Sequence, residues 1–104
     1  MKITGSQRRH LRRLAHQLKP VVMVGQHGLK AGLFDELEAA LNAHELIKVR
    51  IAADREERKT LTAEILERTH ADLVQAIGQM IVIFRRNEKK PKIELPAPST
   101  PDFP

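Results

Sequence analysis

The sequence predicts one two-layer α/β domain on a mixed four-stranded sheet, with elements in the order α-β-α-β-α-β-β. Three segments repeat apolar residues at helical spacing, and short β-branched runs lie between them. The last two runs are separated only by Gly78-Gln79, which is a hairpin signature. At 104 residues the chain has the size of a single domain. An aromatic content of only 3% requires a core built from Leu, Ile and Val.

Thr4 to Leu18 reads as an amphipathic helix. Thr4 with Gln7 three residues later fits a capping box, and Pro20 closes the segment. Leu11, Leu14, Ala15 and Leu18 form the expected buried stripe, while Arg8, Arg9, Arg12, Arg13 and Lys19 fall opposite, with His16 among them. Val21 to Val24 is continuously apolar between Pro20 and Gly25, which predicts a buried strand. Gly25-Gln26-His27-Gly28 then forms a tight turn.

A second helix from about Lys30 to Ala43 buries Leu33, Leu37, Ala40 and Leu41, with Phe34 beside them. Leu46 to Ala52 alternates, so Ile47, Val49 and Ile51 face one way and Lys48 and Arg50 the other. Asp54 caps a third helix running to Thr69, which buries Leu61, Ile65 and Leu66. Leu73 to Ile77 and Met80 to Phe84 are the hairpin strands. Helix crossovers make the first three strands parallel, and the hairpin makes the fourth antiparallel to the third. The domain is expected over residues 1–90. Residues 91–104 contain Pro91, Pro96, Pro98, Pro101 and Pro104 and are expected to be a disordered tail.

Charge narrows the function. Lys and Arg number 18 against 13 Asp and Glu, a net +5, which suits a polyanionic partner. The chain has no cysteine, which excludes disulfides, thiolate metal sites and a cysteine nucleophile. No apolar run approaches the roughly 20 residues of a membrane span, and no signal h-region follows the basic N-terminus. A cytoplasmic protein with no membrane partner is expected. His10, His16, His27, His44 and His70 show no zinc-binding spacing, and no carboxylate pair is placed for glycosidase or metal chemistry. Neither a metal, a cofactor nor a catalytic residue is expected.

Three features point to phosphate. Residues 1–20 hold Lys2, Arg8, Arg9, Arg12, Arg13 and Lys19 and no acid, whereas an ordinary solvated helix face mixes signs. The bland alternative is that Glu56, Glu57 and Glu64 of the third helix neutralise these arginines in space. The loop Gly25-Gln26-His27-Gly28, followed by Lys30 at a helix start, lets a nucleic-acid backbone approach free of Cβ atoms. A G-x-x-G loop serves KH domains in this way, although alone it is a weak signal. The third feature is Lys48 and Arg50 on the sheet, with Arg85, Arg86, Lys89, Lys90 and Lys92 after the last strand.

These residues also carry a resemblance. Leu14-Ala15-His16-Gln17-Leu18-Lys19-Pro20-Val21-Val22 is followed by Val24-Gly25-Gln26-His27-Gly28-Leu29, by His44-Glu45-Leu46-Ile47-Lys48-Val49, and by Ile77-Gly78 through Ile83-Phe84-Arg85. From about Thr4 to Arg86 the chain resembles the CRM domain in its stand-alone bacterial form, the YhbY family. The resemblance implies a fold like the C-terminal domain of a bacterial translation initiation factor. It also implies RNA binding through Gly25, Gln26, His27, Gly28 and the flanking basic surface. Stand-alone members of the family associate with precursors of the large ribosomal subunit, and plant relatives act in intron splicing. Two positions depart from the commonest pattern. Phe84 stands where a tyrosine is usual, removing a hydroxyl that could meet RNA, and Gln79 stands where a lysine is usual.

The expectation is therefore a monomeric RNA-binding protein, not an enzyme, with ribosomal RNA in large-subunit precursors as its partner. Its expected RNA-binding residues are Gly25, Gln26, His27, Gly28, Lys30, Arg8, Arg9, Arg12, Arg13, Lys19, Lys48, Arg50 and Arg85. Phe34 is expected in the core and Phe103 in the tail, so base stacking on aromatics is not expected. The alternatives are a small RNA-cleaving hydrolase using His27 and a DNA-binding regulator. For the latter, no helix-turn-helix pair is visible.

Overall fold

The computed structural model describes residues 3–25, 28 and 30–96. Its elements are α1 (Gly5–Ala15), β1 (Pro20–Val24), α2 (Ala31–His44), β2 (Leu46–Ile51), α3 (Arg55–Thr69), β3 (Asp72–Ile77) and β4 (Met80–Phe84), in the expected order. The four strands make one mixed sheet in the order β1-β2-β4-β3. β1 runs parallel to β2, and β4 runs antiparallel to both β2 and β3. The last strand of the chain thus lies inside the sheet, and β1 and β3 are its edges. Helices cover both faces of this central strand, which buries Ile81 and Ile83 on one side and Val82 and Phe84 on the other.

Each face of the sheet has its own core. Val22, Val24, Ile47, Val49, Ile51, Ile81 and Ile83 pack with Leu33, Leu37 and Leu41 of α2 and Leu61 and Ile65 of α3. These helices and the sheet make the two expected layers, and α1 adds a third on the other face. α1 packs on the opposite face, where Ile3, Leu11 and Ala15 meet Leu46, Val74, Val82 and Phe84. The Thr4 capping box is present: the Gln7 N–H donates to Thr4 Oγ1 at 3.2 Å, and the Thr4 N–H donates to Gln7 Oε1 at 3.0 Å. Asp54 caps α3 through the Glu57 N–H at 2.9 Å.

Two burial expectations need correction. Leu14 and Leu18 are 40% and 36% exposed, because α1 ends at Ala15 and its inward line is Ile3, Gln7, Leu11 and Ala15. β1 is not buried on both faces. As an edge strand it alternates: Val22 and Val24 enter the core of α2 and α3, while Val21 and Met23 face the other way and are exposed.

The segment expected to open a disordered tail is anchored from Pro91 to Pro96. Ile93 and Leu95 pack on the core beneath α1, and the Gln7 side-chain amide donates to the Pro96 carbonyl at 3.0 Å. The carboxylate of Glu45, which has no exposed surface, organises the turn into this segment. It accepts the backbone N–H groups of Asn87 at 2.6 Å, Lys92 at 2.8 Å and Ile93 at 2.7 Å. Arg86 stands 3.8 Å away. Glu45 holds φ 64° and ψ −46°, a strained region for a side-chain-bearing residue. Burial raises its carboxyl pKa, but the three N–H donors and Arg86 outweigh burial and leave it below the ordinary value.

Candidate nucleic-acid interface

The glycine loop leaves the end of β1 and enters α2. A backbone hydrogen bond from the Gly28 N–H to the Gly25 carbonyl, 3.1 Å long, closes it as a four-residue turn. Gly28 has φ +74°, which an L side chain adopts only at a cost, so glycine is required there by geometry. A Cβ added at Gly25 or Gly28 would meet nothing within 4 Å, so the loop presents open space on its outer side. Gly25 and Gly28 line a cleft of about 380 Å³ with Met23, Lys30, Gly32, Leu33 and Glu36. Gln26 and His27 lie outside the described residues.

Sheet register places the strand cations. Lys48 and Arg50 stand on the face opposite α2 and α3, the face that α1 covers only at its other end. Arg50 pairs with Met23 on β1 and Met80 on β4. Its guanidinium donates to Gln79 Oε1 at 3.3 Å. A lysine at position 79 has no acceptor to offer, so glutamine replaces a hairpin cation with a holder for Arg50. Phe84 is 1% exposed within the core under α1. A tyrosine hydroxyl at that position would not face a ligand at the surface, which corrects the expectation of a missing RNA contact.

The α1 cations lie toward the other end of that same face. Arg9, Arg13 and Lys19 are exposed and Arg12 is half-buried, while the Arg8 guanidinium donates to the Leu73 carbonyl of edge strand β3. Among the described residues no ion pair involves any of these five. The acids of α3 do not neutralise them, because α1 and α3 flank opposite faces of the sheet, and Glu64 pairs with Arg68 at 3.6 Å.

Arg85 stands apart. It donates to Glu38 Oε2 and the Thr69 carbonyl, both at 2.9 Å, and to Asn42 Oδ1 at 3.0 Å. Its charge ties α2 to the end of α3 rather than joining the glycine cleft or the arginines of α1. Sequence reasoning also missed a groove of about 660 Å³ between α3 and β3, with Arg55, Arg58 and Lys59 on its rim. These cations sit among glutamates in sequence, so no charge run announced them. Among the described residues no three metal-ligating side chains cluster, and no helix is long and apolar enough to cross a membrane.

The chain is similar in sequence and in fold to known proteins. The sequence profile described as the CRS1 / YhbY (CRM) domain matches residues 3–85. The chain is 44% identical over 93 residues to a Pseudomonas aeruginosa protein named a probable RNA-binding protein, covering 88% of this chain and 89% of that one. It is 46% identical over 95 residues to a Haemophilus influenzae protein named an RNA-binding protein, covering 90% and 95%. A Staphylococcus aureus protein solved in solution superposes with a TM-score of 0.78 at 38% identity, covering 91% of this chain and 100% of that one.

Proposed function

The chain belongs to the CRS1 / YhbY (CRM) domain family, and from that premise we propose that it binds RNA, acting in the cytoplasm as a monomer without cofactor or catalysis. The phosphate backbone is held by Arg9, Arg12, Arg13 and Lys19 at one end of the surface and by Lys30, Lys48 and Arg50 at the other. Gly25 to Gly28 seats a backbone segment between α2 and the sheet. The observation that carries this reading is the line of cations, free of ion pairs among the described residues, from α1 across the open sheet face to the loop. Each phosphate neutralised there releases condensed counterions, so affinity falls steeply as salt rises. Most contacts of this kind position the RNA without reading its sequence.

The RNA we assign is ribosomal, within precursors of the large subunit. Sedimentation of a native lysate through a low-salt sucrose gradient tests this. Co-migration with a large-subunit precursor, lost on Arg9→Glu with Arg13→Glu, is the expected result. Migration of the unaltered protein at the top of the gradient removes the ribosomal assignment. A preference for duplex DNA over ribosomal RNA in competition removes RNA itself as the partner.

A further inference from the structure

The part of the sheet that α1 leaves open carries apolar side chains at the surface. Met23 is 64% exposed and Ile77 62%. In register, Met23 pairs with Arg50, Arg50 with Met80, and Met80 with Ile77. Paired residues share a face, so Met23, Arg50, Met80 and Ile77 form one row across all four strands. Lys48, Gln75 and Val82 form the next row, and with Ile77 and Met80 they enclose a shallow hollow of about 160 Å³. Neither row contains an acid. Met23 also lines the glycine cleft, so the row opens directly onto the loop.

We propose that this row is a platform for the bases of an unpaired RNA segment whose backbone enters at the glycine loop; the proposal rests on the RNA-binding reading above. Three inter-strand gaps of about 4.8 Å give the row a length of roughly 14 Å, room for about two splayed bases. Methionine is flexible and polarisable, and it lies well against π-systems. The scarcity of aromatics therefore does not deprive the sheet of a base-contacting surface. Arg50 and Lys48 stand between and beside the apolar side chains, where they meet the phosphates linking such bases or lie over base faces. A protein partner with an apolar face would have to bury these two cations against acids of its own, whereas a polyanion meets them directly. Duplex RNA hides its base faces in the stack, so the platform selects single strands, loops or bulges.

The test compares the unaltered protein with the Met23→Ser, Ile77→Ser double variant, in which both altered side chains are largely exposed. Two probes are used: a short mixed-sequence oligoribonucleotide, and the same strand annealed to its complement. The unaltered protein is expected to prefer the single strand. The double variant is expected to lose about fivefold or more in single-strand affinity, with duplex affinity and salt slope unchanged. Equal or tighter duplex binding by the unaltered protein overturns the platform, and so does an unchanged single-strand affinity in the variant. Self-association in sedimentation that the same substitutions abolish assigns the patch to a second copy and also overturns it. Failure of the unaltered protein to bind either probe at low salt overturns the RNA-binding reading itself, an outcome distinct from the others.

Discussion

The buried carboxylate of Glu45 accepts the backbone N–H of Ile93 at 2.7 Å, joining the end of α2 to a segment 48 residues further along the chain. Together with the bonds from Asn87 and Lys92, it satisfies three N–H groups that would otherwise be orphaned near the core under α1. Glu45→Gln removes the charge from these bonds and presents an N–H₂ where one acceptor stood. Hydrogen bonds to charged groups contribute about 1.5–3 kcal/mol each, but part is retained, so a net loss of about 1–3 kcal/mol is expected. Urea unfolding measures that loss. Native-state hydrogen exchange at Lys92 and Ile93 should accelerate, and unchanged exchange there would contradict the role assigned to Glu45.

The same carboxylate makes stability depend on pH. Its folded pKa lies below the ordinary glutamate value of 4.5, despite burial, because of the three N–H donors and Arg86. A depressed folded pKa means that the unfolded chain takes up the proton first as pH falls. The contribution is therefore fully present above the ordinary value and is lost as the pH drops through the folded one. The stability gap between the unaltered protein and Glu45→Gln should be widest near neutrality and should narrow below pH 4.5. A gap that widens in acid would show the sign to be wrong.

Glu45 also shows where sequence reasoning stops. Element order was legible because each element carries a local period, down to the Thr4–Gln7 capping box and the Asp54 cap. Tertiary placement was not. Nothing local says that β4 inserts between β2 and β3, that β1 is an edge, or that Ile93 and Leu95 return to the core. Glu45 before a strand looked like any surface acid, and its value comes from residues more than 40 positions away. The turn closed by the Gly28 N–H on the Gly25 carbonyl was legible from its two glycines, whereas the positive φ of Gly28 came only with the structure. The engagement of Arg85 was not legible, because a cation after a strand carries no mark of its partners.

The two glycines should separate conformational need from ligand approach. Gly28→Ala forces a side chain into φ +74°, which costs about 1–2 kcal/mol in an unfolding curve. Gly25 has no positive φ and open space around it, so Gly25→Ala should leave stability near that of the unaltered protein. Weaker RNA binding by Gly25→Ala at unchanged stability is the expected signature of a backbone approached closely by its ligand. Full RNA affinity in that variant would remove Gly25 from the interface.

The α1 arginines should report through salt. Arg9 and Arg13 are exposed and carry no ion pair among the described residues, so truncating them leaves packing intact. In the Arg9→Ala, Arg13→Ala variant the slope of log affinity against log salt should fall by about 0.7–0.9 for each arginine that meets a phosphate. Affinity titrations at several salt concentrations measure it. An unchanged slope would place the RNA elsewhere on the surface.

Arg85 and Arg50 should part company. Arg85 is largely buried by its bonds to Glu38, Asn42 and the Thr69 carbonyl, so Arg85→Ala leaves those acceptors unpaired and unties α2 from α3. A stability loss of about 1–3 kcal/mol is expected, because charge-assisted bonds with partly buried acceptors are removed. RNA affinity and salt slope should not move once the folded fraction is taken into account. Arg50 is exposed, and its single side-chain partner among the described residues is Gln79 at 3.3 Å, so Arg50→Ala should show the reverse pattern. Its unfolding midpoint should stay put while RNA affinity and salt slope fall. Loss of RNA binding by folded Arg85→Ala would mean that the ligand reaches the α2–α3 side of the sheet. The interface would then have to extend beyond the face carrying α1, Lys48 and Arg50.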